Sequence, residues 1–132
     1  MEQNLLHISQ IDVNPPFVEL KGTPKAGSTI HFELSHATGE TGNLFVVGWS
    51  GSGTQGFYVG GKKIHLTFDS FTALGLALLP FFSNAVDGNG TSFTAQFPWP
   101  AMPSGLPFWV CGVTLDSKGV VSVNEPFKFL SQ

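Results

Sequence analysis

A chain of 132 residues is one domain's worth of polypeptide, long enough to bury a proper core. Its charged fraction is 11 %, its net charge is −3 and its six cations are all Lys, against roughly 25 % charge in an average globular domain. Without Arg or a basic stripe it lacks the forks and the field that hold phosphates and base edges, which excludes a dedicated nucleic-acid binder.

In chain order, residues 1–16 carry scattered apolar positions (Leu5, Leu6, Ile8, Ile11, Val13) and end at Asn14-Pro15-Pro16, predicting an N-terminal arm or edge strand ahead of a domain over 17–132. Met1-Glu2-Gln3-Asn4 has no basic n-region and the apolar run after it is short, so no signal peptide is read there. Phe17 to Leu20 is a short strand and Gly22 to Gly27 a turn. Ser28 to Leu34 alternates, with Ile30, Phe32 and Leu34 on one side and Thr29, His31 and Glu33 on the other, the pattern of a half-buried strand. After a polar loop, Leu44 to Trp49 is apolar on both faces, as in a strand covered on both sides.

Gly51 to Gly56 is a glycine-rich loop, and Phe57 to Val59 a brief strand. Lys62 to Phe68 alternates again, with Ile64, Leu66 and Phe68 expected inside. Leu74 to Phe82 is the most apolar stretch; it is too short to span a bilayer, contains Pro80, and its length and flanking breakers predict a strand. Asp87-Gly88-Asn89-Gly90 predicts a hairpin turn leading to a strand Ser92 to Phe97, with Phe93, Ala95 and Phe97 inward. A stiff proline-rich loop follows. The last hairpin runs from Phe108 to Leu115, turns at Asp116-Ser117-Lys118-Gly119 with Gly119 at φ > 0, and returns from Val120. Cys111, the sole cysteine, lies in that first strand as a buried hydrophobe, excluding an intrachain disulfide and a Cys-based zinc site.

Sixteen Gly, nine Pro and thirteen Phe, with strands every 8 to 15 residues and no amphipathic helix, predict an all-β, immunoglobulin-like antiparallel sandwich of seven to nine strands. The segments G-S-T-I-H-F-E-L-S, L-F-V-V-G-W-S, K-I-H-L-T-F-D, D-G-N-G-T-S-F-T-A-Q-F, L-P-F-W-V-C-G-V-T-L-D-S-K-G and V-N-E-P-F-K-F, in this order over residues 22–130, resemble a small immunoglobulin-like sandwich domain found, often C-terminally, in large exported bacterial proteins. The resemblance implies a fold and carries no catalytic role.

The chemical motifs fail where their chemistry would occur. Gly51-Ser52-Gly53-Thr54-Gln55-Gly56 spells a dinucleotide fingerprint without the helix that must follow it directly. Gly56 to Lys62 spells a P-loop, but Lys63 stands where a magnesium-binding hydroxyl belongs. His31, Glu33 and His65 form a metal-ligand set only if their strands are neighbours; solvated polar positions are the simpler expectation. Phe81, Phe82, Trp99, Met102 and Trp109 are either a pre-stiffened aromatic contact patch or the closed end of the core. The expectation is therefore a non-catalytic structural or interaction module with no cofactor. It would be a subunit or decoration of a surface assembly (a cell-surface layer, a filament or a virion), extracellular or on a particle. Its partners would be proteins or copies of itself, with carbohydrate binding through exposed aromatics as the alternative and an enzyme a distant one.

Overall fold

The computed structural model describes residues 16–132, which form two antiparallel sheets packed face to face and a third, smaller layer on the outside of one of them. The predicted N-terminal arm lies outside the described residues. The first sheet contains β1 (Phe17–Gly22), β2 (Thr29–Ser35) and the two-residue strands β7 (Ser92–Phe93) and β8 (Phe97–Pro98), both paired with β2. The second is ordered β10 (Gly119–Val123), β9 (Pro107–Asp116), β3 (Leu44–Ser50) and β6 (Ser83–Ala85), with β11 (Phe127–Leu130) also on β9. The protein is an all-β sandwich, and among the described residues its two sheets hold nine strands (four and five).

Between the sheets lies a core of rings. Ile30, Phe32 and Leu34 point inward from β2 as their alternation requires, meeting Phe45, Val47 and Trp49 from β3 and Phe108 and Val110 from β9. Trp49 is the hub: Phe32, Phe108 and Phe129 meet its ring at centroid distances of 5.4, 6.0 and 5.7 Å, each edge-on. Such T-shaped contacts set the positive ring edge against a negative face and add about 0.5–1.5 kcal/mol each beyond area burial. Gly112 lets β1 approach, because a Cβ there would stand 2.5 Å from a Val18 methyl.

The apolar outer faces of β3 and β9 have their own partner. The chain leaving β3 crosses to that face and forms the hairpin of β4 (Phe57–Val59) and β5 (Lys62–Ile64), then the helix α1 (Ser70–Ala77) and a 3₁₀ turn at Leu79–Phe81. Ile64 and Leu66 pack on Cys111 and Val113 in a second core. Burial pushes the Cys111 thiol up to about 11, so it stays protonated and unreactive at neutral pH.

Four local readings are corrected. Leu74 to Phe82 is not a strand: it is the body of α1 and the 3₁₀ turn, so a helix exists where none was expected. The cause is Asp69, whose Oδ1 accepts the N–H groups of Phe71 and Thr72 while its own N–H donates to the Thr72 hydroxyl, a capping box built with Thr. The strand predicted over Lys62–Phe68 ends at Ile64, and Phe68 turns outward against Phe57 instead of inward. Ser92 to Ala95 has the opposite phase from the predicted one: Ser92 and Thr94 are buried and Phe93 and Ala95 exposed, whereas Phe97 does pack on the core. Buried hydroxyls win because they are satisfied, Thr94 Oγ1 accepting the Phe32 N–H at 2.8 Å and Ser92 Oγ donating to the Ala85 carbonyl at 2.9 Å. Finally, the Asp87–Gly90 turn forms, with Asp87 Oδ1 accepting from Asn89 and Thr91, but it joins β6 to β7 in different sheets and so makes a crossover instead of a hairpin.

Candidate functional site

The predicted metal set is not brought together. His31 and Glu33 face away from the core on β2, in the first sheet, and His31 Nδ1 meets Gln96 Nε2 at 3.0 Å. His65 follows β5 on the far side of the second sheet, so the whole sandwich separates it from the other two. Alternation placed His31 and Glu33 on one face of β2, but the sheet to which His65 belongs is a matter of topology. Among the described residues no three His, Cys, Asp or Glu side chains converge.

Nor are the five aromatic-patch residues one patch. Phe82 and Trp99 are core residues, and the Trp99 ring is enclosed by Trp49, Phe108 and Phe129. Stacking on a sugar needs an open ring face, and Trp99 has only 5 % of its surface exposed. Met102 and the exposed Phe81 lie near it at the same end of the sandwich, whereas Trp109 points from β9 to the opposite face under the Lys128 ammonium, 5.4 Å from its centroid.

What the fold does expose surrounds α1. From Ser70 to Val86 the chain has no charged residue, and the helix is apolar on every side, a character that belongs to buried helices. Here it is a surface element: Leu74 and Leu76 are each 53 % exposed and Phe71 and Phe81 about 40 %. Its other sides line two clefts. Towards the sandwich end, Gly75 and Leu78 face Trp49 across a shallow groove of about 80 Å³. Towards the outer face of the second sheet, Thr72 and Leu76 form one wall of a cleft of about 490 Å³. Its floor is Val46, Val113 and Leu115, and its second wall is the β4–β5 hairpin, through Phe57, Val59 and Ile64.

A carboxylate holds this arrangement. The second oxygen of Asp69, Oδ2, accepts from Ser50 Oγ at 3.1 Å, from the Gly51 N–H at 2.9 Å and from Ser52 Oγ at 2.5 Å. One side chain thus ties the end of β3 to the start of α1. Partial burial by itself raises the Asp69 pKa; the bonds from Ser52, Thr72, Gly51 and Ser50 outweigh it and bring the group down to about 2. The glycine motif at 51–56 is explained here as well, since a Cβ on Gly51 would stand 2.4 Å from the Phe71 ring. Gly51 serves the packing of α1, whereas Gly53 and Gly56 take positive φ beside Thr67 and Lys63.

Comparison with family models, with curated proteins and with solved structures finds no match.

The apolar ridge was missed from the sequence for one reason. A strand over 74–82 would have put these side chains into the sandwich, while a helix capped at Asp69 leaves half of them on the surface. The signal that could have found them is D-S-F-T, an N-cap followed at the third helical position by a hydroxyl.

Proposed function

We propose that the chain is a non-catalytic interaction module, a subunit or decoration of a larger surface assembly. In this reading its neighbours are proteins, copies of itself first among them, and they cover the ridge formed by Phe71, Leu74, Leu76 and Phe81. One observation carries the reading: a helix with no polar side lies on the surface, uncovered by any other described residue, in a chain that has few charges to keep copies apart. A bilayer is the poorer partner, because interfacial helices carry Lys and Arg beside their apolar face and α1 has neither. The polar cluster at Asp69 supports the same reading, since its hydroxyls and amides are engaged in holding β3 to α1.

The test is light scattering over a micromolar to millimolar concentration series, on the wild type and on the double variant Ala73→Glu/Ala77→Lys. Both positions are exposed, and the pair adds a favourable i, i+4 contact without removing core packing. The wild-type mass should rise with concentration while the variant stays monomeric at an equal or higher Tm. A wild type that remains monomeric throughout overturns the self-association reading.

A further inference from the structure

We infer that the cleft between the β4–β5 hairpin, α1 and the outer face of the second sheet is a binding site for a single aliphatic chain with an anionic head, a medium-chain fatty acid being the simplest case. At about 490 Å³ the space lies within the range of small-molecule sites, roughly 300–1,000 Å³. Its floor and walls are mostly Val, Leu, Ile and Phe side chains, and the Thr72 hydroxyl is engaged with the Thr67 carbonyl, so an occupant gains by leaving water and finds almost nothing to hydrogen-bond inside. That chemistry selects a hydrocarbon and rejects a sugar or nucleotide.

The head group is chosen at the mouth. Val59 lines the cleft at the hairpin tip, and Lys62 is its cross-strand partner, so the two side chains leave the hairpin on the same face. Lys62 does not line the cleft itself, but its side chain starts on the cleft face of the hairpin beside Val59, within reach of the opening. Tyr58 also lines the cleft and is 71 % exposed, but it pairs with Lys63, so its phenol leaves the hairpin on the opposite face from Lys62. Lys63, by contrast, lies over Gly56 on the other face of the hairpin. The carboxylate of Asp116, beyond Leu115 on the floor strand, is occupied by the Lys118 N–H at 2.8 Å. A chain inserted from the hairpin side would bury its methylenes over Val46 and leave its carboxylate at Lys62. The site shares only Leu76 with the proposed assembly contact: Phe71, Leu74 and Phe81 of the ridge do not line the cleft.

The experiment is isothermal titration of the full chain with sodium dodecanoate below its micelle concentration, alongside octanoate, dodecan-1-ol and dodecylammonium. Dodecanoate should bind saturably, one per chain. Octanoate, four methylenes shorter, should bind on the order of a hundredfold more weakly. Lys62→Glu should weaken dodecanoate about fivefold and leave dodecan-1-ol unchanged. Val46→Phe fills the floor and should abolish binding while Tm is kept; should that variant fail to fold, Val59→Gln at an exposed wall position should weaken binding several-fold. The Ala73→Glu/Ala77→Lys variant should bind dodecanoate like the wild type, so failure of the assembly reading and failure of this one are distinguishable. Absence of dodecanoate binding to the wild type overturns the inference. So does undiminished binding in the folded cleft variant, or dodecylammonium binding as tightly as dodecanoate.

Discussion

Replacing Asp69 by Asn keeps the shape of the side chain and removes its charge, isolating the carboxylate that joins β3 to α1. Its pKa is held at about 2 against an ordinary 3.8, a gap worth roughly 2.4 kcal/mol at 1.36 kcal/mol per unit. Solvent reaches this carboxylate, so screening reduces the expected loss to about 1–2 kcal/mol at neutral pH, in the range of losing a good N-cap. The sign is set by the lowered folded-state value. The contribution is complete above about pH 5, falls to about half by pH 3, and is mostly gone at pH 2, where the folded protein also takes up the proton. Guanidinium unfolding of wild type and Asp69→Asn at a series of pH values from neutral to pH 2 should show two curves that converge as acid is added. Hydrogen exchange at Phe71 to Leu76 should report the same loss locally, as faster opening of the outer layer in the variant. Two parallel curves with an undiminished gap at pH 2, or no gap at neutral pH, would refute the assignment of Asp69 as the charged latch.

Other substitutions probe the remaining layers. Phe32→Ala empties a fully buried position among the rings of Trp49, Phe82, Phe127 and Phe129 and should cost about 3–5 kcal/mol, a large part of a domain's total stability, read by denaturant titration. Thr94→Val leaves the Phe32 N–H without its hydroxyl acceptor and should cost about 1–3 kcal/mol in the same assay, whereas a neutral result would mean that the inverted phase of this segment has another cause. Gly112→Ala drives a methyl into Val18 and Phe45 and should destabilise by about 1–3 kcal/mol. Cys111, buried and protonated with its thiol at about 11, should be silent to an aromatic disulfide reagent at pH 8 and titrate fully in guanidinium; fast native labelling would show that the second core opens readily.

Much of the architecture follows from local pattern alone. The alternation at Thr29–Leu34 puts Ile30, Phe32 and Leu34 on one face whatever surrounds them, because successive side chains of a strand point to opposite sides. Asp116-Ser117-Lys118-Gly119 is likewise self-contained: Asp116 accepts the Lys118 N–H and Gly119 takes φ 126°, so the last hairpin needs no distant partner to turn. Strands apolar on both faces, at Leu44–Ser50 and Phe108–Leu115, announce cover on two sides without saying what supplies it. Tertiary structure decided the rest. Residues 70–82 carry no period, since apolar side chains on every side suit a strand and a helix equally; the local cap at Asp69 starts the helix, and the bonds from Asp69 to Ser50, Gly51 and Ser52 fix where it sits. Ser92 and Thr94 can be buried only because Ala85 and Phe32 offer them partners. The cleft has no sequence signature at all, because its floor, hairpin and helix come from separate segments that meet only after β3 and β9 have paired. Periodicity records which side of an element sees water; it carries no information about which distant surface takes water's place.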